Sequence, residues 1–198
     1  MTIPGSRISI RRAGNPEDLS CGLAFLTDQY RKAFDVSPSP PDHLLVAWQD
    51  GVVVGTIGVN VRKAEGGLRL ARLYRFERAS APLPVEFDRT AEIAKWAAET
   101  GGISCALLSA AIRFSILLGK EHGWCEHNPG VGRIFRRFGV MLFPVPGAKR
   151  DDALVETYHR PYYERNQVGL SMFSLRDARE VLDEYLRTHG IDADYSFA

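Results

Sequence analysis

Apolar and polar residues follow two different spacings along the first part of the chain, and these spacings predict a strand and then a helix. Strict alternation at Arg7–Arg11 is typical of a short strand. A helix is predicted from Asn15, a good N-cap residue that precedes a proline and two acidic residues. It runs to about Phe34, because a proline-rich stretch at 37–41 cannot continue a helix.

A hairpin and a further strand are predicted next. Segments 44–48 and 52–61 are apolar and flank Gln49-Asp50-Gly51, which is a strong hairpin signal. Gly66 and Gly67 then form a turn before Leu68–Phe76, where alternation predicts another strand. This region therefore contributes three neighbouring antiparallel strands to the predicted fold.

The segment 91–139 is the most informative part of the sequence. Ala91–Ala98 has the pattern of a buried strand, the glycine turn Glu99–Ser104 breaks it, and Cys105–Lys120 is apolar enough for a core helix. Two glycines in the turn can adopt positive φ or let a ligand approach the backbone. A helix that starts after such a turn presents unpaired backbone N–H groups, so it can bind phosphate. A second strand and helix follow at Trp124–His127 and Gly130–Phe138.

The last part of the chain has weaker strand patterns and one clear helix. Strands are predicted for Val140–Phe143, Leu154–His159 and Val168–Phe173. Ser174–Asp177 resembles a capping box and starts an amphipathic helix that ends at Gly190. The whole order predicts an α/β fold with a mixed, mostly antiparallel twisted sheet flanked by helices.

Composition narrows the class of protein. With 198 residues, 45% hydrophobic and 25% charged, we expect one folded domain over 1–198, with a C-terminal helix and tail at 176–198. A net charge of +1 argues against nucleic acid as a partner. Three scattered cysteines favour a reducing compartment, and no apolar run is long enough to span a membrane, so we expect a cytoplasmic protein. Basic residues are concentrated between 113 and 150, where seven lysines and arginines stand against two acidic residues.

The sequence resembles the GNAT-type N-acyltransferases. Ile8–Ala13, followed by Asn-Pro-Glu-Asp-Leu, is similar to the start of these enzymes, and the strand–turn–helix at 91–120 is similar to their acyl-donor site. Asn128 and Phe135–Gly139 resemble the second turn and helix that contact the donor. The chain departs from the pattern in its phosphate turn, which is reduced to Glu99–Ser104, and at Phe135, which replaces a tyrosine that often protonates the departing thiolate.

One branch of these enzymes is more similar than the others. It contains acyl-homoserine-lactone synthases, long-chain N-acyl amino acid synthases and proteins labelled thermostable haemolysins. In this branch a glutamate lies on the strand before the turn, as Glu92 does, and an early arginine–phenylalanine pair occurs, as Arg31 and Phe34 do. Lys95 stands where the branch often has arginine, which disfavours lactone production and leaves N-acylation of an amino acid open.

The resemblance implies an enzyme that transfers an acyl chain, of medium or long length, to the amine of an amino acid or a similar small acceptor. The donor would be a pantetheine thioester on acyl carrier protein or coenzyme A, and no metal is expected. Two other functions stay open. One is an acetyl-CoA-dependent N-acetyltransferase, and the other is a catalytically silent protein that binds acyl thioesters or perturbs membranes.

Glu92 is the predicted catalytic residue. An ammonium group has no lone pair, so it must lose a proton before it attacks a thioester, and a partly desolvated carboxylate can accept that proton. The alternative is an exposed glutamate at a sheet edge, paired with Lys95 or Arg89. In the mechanism that we expect, backbone amides at 96–99 polarise the thioester carbonyl, and the acyl tail enters the core bounded by Cys105–Leu118.

The remaining predictions concern binding. The predicted donor-binding residues are Ala97, Ala98, Thr100, Gly101, Gly102, Ile103, Ser104, Asn128 and Phe135. The alternative for this segment is a tight connection whose glycines only make the turn. The predicted acceptor-binding residues are Arg31, Phe34, Trp96 and Tyr158, and those for an acidic carrier protein are Arg133, Arg136 and Arg137. His122, Cys125, Glu126 and His127 do not form a predicted metal site, because strand alternation puts Cys125 and Glu126 on opposite faces.

Overall fold

An eight-stranded mixed sheet forms the centre of the fold in the computed structural model, which describes residues 7–61, 68–75, 86–145, 147–155 and 160–197. The strands are β1 (Ile8–Arg12), β2 (His43–Gln49), β3 (Val52–Val61), β4 (Tyr74–Arg75), β5 (Thr90–Ala98), β6 (His122–His127), β7 (Phe143–Pro144), β8 (Lys149–Arg150), β9 (Gly169–Ser174) and β10 (Ala193–Ser196). The helices are α1 (Pro16–Phe34), α2 (Arg69–Leu73), α3 (Gly101–Leu117), α4 (Pro129–Arg137), α5 (Arg160–Arg165) and α6 (Leu175–Thr188). Two short 3₁₀ turns lie at Phe87–Arg89 and Asp152–Leu154.

The order of the strands is β10-β1-β2-β3-β5-β6-β9-β7, and β4 pairs separately with β8. Two of the neighbouring pairs in the large sheet are parallel, β1 with β10 and β5 with β6. The others are antiparallel. The mixed, mostly antiparallel sheet predicted from the sequence is therefore confirmed.

Helices cover both faces of this sheet. On one face α3 and α6 pack against each other and against a core that includes Ile57, Ile93 and Phe173. On the opposite face α1 lies on β2 and β3, with Leu26 buried against Leu44. The face of β6 and β9 on that side carries a separate apolar cluster with α2 and β4.

Several predicted elements are confirmed almost to the residue. The side chain of Asn15 accepts a hydrogen bond from the backbone N–H of Asp18 and caps α1, as the sequence predicts. Asp50 and Gly51 form the β2–β3 turn with positive φ angles of 52° and 76°. Ser174 accepts from the backbone N–H of Asp177 at the start of α6.

Local predictions differ from the structure in four places. The strand predicted at Leu68–Phe76 is mostly the short helix α2 within the described residues 68–75, because the buried Leu70 and Tyr74 are four positions apart, which fits both strand alternation and one helical turn. The strand predicted at Leu154–His159 is partly the end of a 3₁₀ turn, and residues 156–159 lie outside the described part. Val140–Phe143 becomes a strand only at its last residue. The parallel edge strand β10 was not predicted, because it is short and has no hairpin signal.

The β5–β6 pair opens along its length. These strands pair in parallel over only three positions, and their ladder ends at Glu92 and Trp124. Beyond this point β5 remains paired with β3, but with a bulge in which Lys95 adopts a left-handed φ of 54°. A bulge turns the strand away from its neighbour and redirects its side chains. The two strands therefore diverge toward their C-terminal ends, where α3 and α4 begin.

Gly123 gives a test of how tightly the sheet is packed near this opening. A Cβ atom at Gly123 would lie 2.3 Å from Cζ of the facing Phe173 ring, which is fully buried. We expect Gly123→Ala to lower the free energy of unfolding by about 1–3 kcal/mol, as overpacked core positions do. Urea unfolding measures this change. Gly169→Ala on the facing strand is the control, because a Cβ atom there meets nothing within 4 Å, and an equal loss in both variants would contradict the packing argument.

Candidate active site

A small cavity of about 80 Å³ lies where β5 and β6 begin to diverge, on the face covered by α1, α2 and α5. A volume of this size holds about two or three water-sized groups, so one small ligand would reach all of its walls. Charged and phenolic side chains make up most of the lining. The lining residues are Tyr30, Val36, Arg69, Leu70, Leu73, Glu92, Ile93, Ala94, Lys95, Glu126, Tyr162 and Tyr163.

Glu92 is buried at the centre of this cavity, with only 3% of the residue exposed. Its Oε2 accepts a hydrogen bond from the backbone N–H of Leu70, in the first turn of α2, at 3.2 Å. Asn60 lies directly opposite on β3 and donates to the carboxylate through its side chain. The amide of Asn60 is oriented by Asp42, whose backbone N–H donates to Asn60 Oδ1 at 2.8 Å.

Burial dominates the electrostatics of this carboxyl group. Desolvation raises the pKa of Glu92 from 4.5 to about 7, although the positive charge of Arg69 and the hydrogen bonds from Asn60 and Leu70 oppose the rise. The group therefore changes its protonation near neutral pH, which suits a general base. The alternative of an exposed glutamate is wrong, because Glu92 is interior and Arg89 pairs instead with Glu86 and Glu121.

A second carboxylate, Glu126 on β6, borders the same cavity. Its two oxygens accept hydrogen bonds from the hydroxyl groups of Tyr74 and Tyr163, each at 2.7 Å. The guanidinium of Arg150 lies over the Tyr163 ring, 4.3 Å from its centroid. This network holds Glu126 in one orientation, and strand alternation indeed separates it from Cys125, which is buried in the core of the other face.

The bulge brings Lys95 and Tyr30 together on the α1 side of the cavity. The Lys95 ammonium lies 6.0 Å from the centroid of the Tyr30 ring. The backbone N–H of Trp96 is directed at the Tyr30 hydroxyl oxygen. Burial raises the pKa of Tyr30 well above its usual value, so this phenol keeps its proton at neutral pH.

The predicted acceptor residues do not all reach this cavity. Phe34 is half-buried and packs edge-to-face on Tyr30 and Tyr162, so it supports the cavity wall. Arg31 is exposed and does not line the cavity. Trp96 points to the opposite face of the sheet, where its ring packs on Phe135. Tyr158 lies outside the described residues.

The predicted phosphate turn is the first turn of a helix. The α3 helix begins at Gly101, earlier than the predicted Cys105, and ends at Leu117 rather than Lys120. Thr100 caps it by accepting from the N–H of Ile103, and the N–H of Ser104 donates to the Thr100 carbonyl. Neither Gly101 nor Gly102 has a positive φ, so of the two uses expected for these glycines only the close approach of a ligand remains open.

Two helices begin at the end of the sheet where β5 and β6 have separated. A Cβ atom at Gly101 would meet nothing within 4 Å, so the approach to the first turn of α3 is open. The side chain of Asn128 accepts from the N–H of Val131 and caps α4. The N–H groups of both first turns therefore face the same edge of the sheet, because α3 and α4 follow two parallel strands.

The backbone N–H groups of residues 96–99 face different partners. The N–H of Glu99 donates to the carbonyl of Val54 on β3. Backbone groups alternate along a strand, so the N–H of Ala97 also faces β3, whereas that of Ala98 faces the gap left by β6. Together with the Trp96 N–H, which is directed at Tyr30, this leaves Ala98 as the amide that borders the opening.

The core around α3 leaves no room for the predicted path of an acyl tail. Leu107 and the other residues at 105–112 are fully buried. A Cβ atom at Gly55 on β3 would lie 2.7 Å from Leu107 Cδ1, so α3 and the sheet are in direct contact. A tail between α3 and the sheet would have to displace this packing. Phe135 is likewise buried, between Trp96 and Phe173.

Arg133, Arg136 and Arg137 are exposed on α4, close to the diverging strands. Among the described residues none of the three forms a salt bridge, whereas most other arginines pair with a carboxylate. Within the same part of the chain, no group of three histidine, cysteine or acidic residues could hold a metal ion. None of the described helices is long and apolar enough to cross a membrane.

Several lining residues were not predicted from the sequence. The sequence pattern places Arg69 and Leu70 in a predicted strand, and it points to Glu126 only in the argument against a metal site. Asn60 did carry a signal, because it is a polar residue within the apolar run 52–61. Tyr30 carried none, since a tyrosine near the end of an amphipathic helix is ordinary.

Comparison with known proteins identifies the fold. No family model matches the sequence, and no curated protein matches it. A solved structure of a CoA-dependent acyl-homoserine lactone synthase, BjaI, with SAM and isopentyl-CoA, is 17% identical, covers 96% of this chain and 93% of its own, and has a TM-score of 0.63. The acyl-homoserine lactone synthase LasI is 14% identical over 86% of this chain and 90% of its own, with a TM-score of 0.56. FeeM, an N-acyl amino acid synthase from uncultured soil microbes, is 11% identical over 88% of this chain and 94% of its own, with a TM-score of 0.54.

These solved structures confirm the predicted resemblance. The chain has the GNAT-like fold that is shared by acyl-homoserine-lactone synthases and an N-acyl amino acid synthase.

The buried carboxyl group predicts a pH-dependent effect on stability. Because the pKa of Glu92 is higher in the folded protein, its contribution to stability is complete below pH 4.5 and is lost as the pH rises through about 7. Glu92→Gln removes this titration. Between about pH 5 and about pH 9 the variant should gain about 2–3 kcal/mol in the free energy of unfolding relative to the wild type.

Urea unfolding at the two pH values measures this gain. The exposed Glu99→Gln is the control, and we expect the same pH dependence in that variant as in the wild type. A difference between wild type and Glu92→Gln that does not change with pH would show that Glu92 is not desolvated in the folded protein.

Proposed function

We propose that this protein is an N-acyltransferase that moves an acyl group from a pantetheine thioester to the amine of a small amino acid-like acceptor. The observation that carries the proposal is the placement of Glu92. It is a buried carboxyl group that titrates near neutral pH, and it lies beside a small cavity at the point where two parallel strands separate.

The divergence of β5 and β6 supports the donor site. A pantetheine arm is an extended chain of amides, and it would lie between the two strands, where the Ala98 N–H borders the gap. Its phosphates would lie against the first turn of α3, at Thr100–Ser104, where helix N–H groups and the dipole favour negative charge. The role of Asn128 would then be to cap α4 rather than to bind pantetheine directly.

The acceptor would occupy the 80 Å³ cavity. Its ammonium group would be attracted by Glu126, whose orientation is held by Tyr74 and Tyr163. Its carboxylate would pair with Arg69, whose guanidinium donates to Ser39 Oγ at 2.7 Å and so faces the cavity from a held position. A cavity lined by two cationic groups, Arg69 and Lys95, and two carboxyl groups, Glu92 and Glu126, fits a zwitterion better than a neutral amine.

Glu92 would then act as the general base. It accepts one proton from the ammonium, directly or through one water molecule, and the amine lone pair attacks the thioester carbon. The buried Phe135 has no hydroxyl group, so it cannot protonate the departing thiolate. That proton would come from the nitrogen as the amide forms. The medium or long chain length stays a prediction of the resemblance, as does the single-domain organisation.

The role of Glu92 predicts a loss of turnover with a characteristic pH profile. We expect kcat/KM of the wild type to rise with pH through an ionisation near 7, because the carboxylate form is the base. Glu92→Gln should lower kcat by about 10²–10⁴-fold, as the loss of a general base does.

Mass spectrometry of N-acylated products, with acetyl-, hexanoyl- and dodecanoyl-CoA as donors and a mixture of amino acids as acceptors, measures both effects. Glu180→Gln, at an exposed position on α6, serves as the control. Undiminished turnover by Glu92→Gln would remove the base from the mechanism, and transfer of acetyl groups alone would favour a short-chain N-acetyltransferase.

The α4 arginines predict how the donor is recognised. Replacing Arg133, Arg136 and Arg137 together by glutamate should lower kcat/KM by about 10–100-fold for acyl carrier protein or CoA donors, because both carry negative charge near the thioester arm. Turnover of a neutral acyl-N-acetylcysteamine thioester should remain within about twofold.

The same charge reversal at Arg176 and Arg179 is the control, since these exposed side chains lie in the first turns of a different helix, α6. Equal losses for charged and neutral donors would show that the α4 arginines stabilise the fold instead of binding the donor. Comparing acyl carrier protein with CoA then identifies the preferred carrier.

A further inference from the structure

Tyr30 lines the cavity, and the mechanism above does not use its hydroxyl group. It lies in the last turns of α1, and its ring is held by Phe34, with centroids 5.5 Å apart, and by the apolar cluster beneath the helix. Its hydroxyl group reaches the bulge of β5, where the backbone N–H of Trp96 is directed at its oxygen. Tyr30 and Glu92 therefore line the same small cavity from two different elements.

The Tyr30 hydroxyl group can donate a hydrogen bond to a ligand in the cavity. A phenol donates one hydrogen bond and accepts others, and the Trp96 N–H faces the accepting oxygen. The hydroxyl groups of Tyr74 and Tyr163 donate to Glu126, but among the described residues the Tyr30 hydroxyl donates to no acceptor. An N–H group that donates to a hydroxyl oxygen polarises it and strengthens the hydroxyl as a donor in turn.

The charges around Tyr30 favour an anionic neighbour. The Lys95 ammonium lies over the ring at 6.0 Å, and Arg69 is close enough to act on the phenol electrostatically. Arg69 lowers the pKa of Tyr30, whereas Tyr162 and Glu126 raise it and so help the phenol to keep its proton. Tyr30 thus remains a hydrogen-bond donor, with the Lys95 ammonium over its ring and Arg69 close enough to act on it electrostatically.

We propose that the Tyr30 hydroxyl, positioned by the Trp96 amide, donates a hydrogen bond to the thioester carbonyl oxygen and stabilises the negative charge that forms there. This inference rests on the acyl transfer proposed above and adds the group that acts on the oxygen. It also revises the expectation that backbone amides at 96–99 polarise the carbonyl directly, because Trp96 acts through the phenol.

The proposed acyl transfer conserves atoms and charge. The acceptor ammonium gives one proton to Glu92, and the nitrogen lone pair forms a bond to the carbonyl carbon while the C=O electron pair moves onto oxygen. Tyr30 donates a hydrogen bond to that oxygen and keeps its own proton. The electron pair then re-forms C=O, the C–S bond breaks with its electrons on sulfur, and the thiolate takes a second proton from nitrogen. Glu92 returns its proton to solvent, so amide, thiol and one H⁺ are the products.

The test is Tyr30→Phe, which removes only the hydroxyl group. We expect kcat to fall by about 10²-fold, as loss of one oxyanion donor does, while KM for donor and acceptor stays within about twofold. Tyr185→Phe is the matched control, because Tyr185 lies on α6 and stacks on His189 away from the cavity. Both variants should melt within a few degrees of the wild type.

A spectroscopic measurement separates catalysis from structure. Infrared difference spectra of bound CoA thioester, labelled with ¹³C at the carbonyl and without acceptor, should show a lower carbonyl stretch in the wild type than in Tyr30→Phe. The donor used is the one of acetyl-, hexanoyl- and dodecanoyl-CoA that the wild type uses with the highest kcat/KM. A frequency that is the same in both proteins would overturn the role of Tyr30.

The outcomes distinguish the two proposals. If the wild type transfers acyl groups and Tyr30→Phe retains kcat within about threefold, Tyr30 is not the oxyanion donor, while the acyltransferase proposal stands. If the wild type transfers no acyl group from any of these CoA thioesters or from the corresponding acyl carrier protein thioesters, the acyltransferase proposal fails and the role of Tyr30 fails with it. A 10²-fold loss in Tyr30→Phe with normal Tyr185→Phe supports both.

Discussion

The divergence of β5 and β6 after Glu92 is the constraint on which the rest of the site depends. Parallel strands normally continue side by side, and here the ladder stops after three positions because the bulge at Lys95 bends β5 while β3 keeps it in the sheet. The gap exposes backbone groups of β5 that a continuous sheet would cover. The same geometry places the first turns of α3 and α4 at one edge, which supports the site that we propose there for an anionic, extended donor.

The cavity on the other side of the sheet depends on the same bend. Alternation puts Glu92 and Glu126 on one face, and the bulge adds Lys95 to that face, where α1, α2 and α5 close over them. Burying two carboxylates is expensive unless each has partners. Glu92 has Asn60, Leu70 and Arg69 nearby, and Glu126 has two phenol hydroxyls. Glu92 nonetheless keeps a raised pKa, so its proton affinity matches the exchange of a proton with an amine near neutral pH.

Glu92, Glu126 and Tyr30 each bring a different chemical property to this cavity. A carboxyl group that titrates near pH 7 can accept a proton, a carboxylate fixed by two phenols can hold a cation, and a phenol that keeps its proton can stabilise an oxyanion. The dense packing of α3 against β3 explains why the site is confined to the opposite face and to the strand opening. The groups to which we assign catalytic roles therefore lie where the sheet is open, and the closely packed core lies on the face where it is closed.

The sequence by itself determined the order of the long elements, the cap at Asn15 and the hairpin turn, because local periodicity and capping residues act within a few positions of the chain. It also identified Glu92 as the candidate base, because the proposed chemistry requires a carboxylate on that strand. It did not determine that residues 69–73 are helical, since their short apolar pattern fits both a strand and a helix. Only the tertiary structure places the buried Glu92 carboxyl group where it accepts a hydrogen bond from the N–H of Leu70 in the first turn of this helix. The sequence also did not bring Tyr30, Arg69 and Glu126 to one cavity, or Asn60 against the Glu92 carboxyl group. These residues come from four different elements, and only strand pairing and the bulge of β5, which are long-range features, decide that they meet.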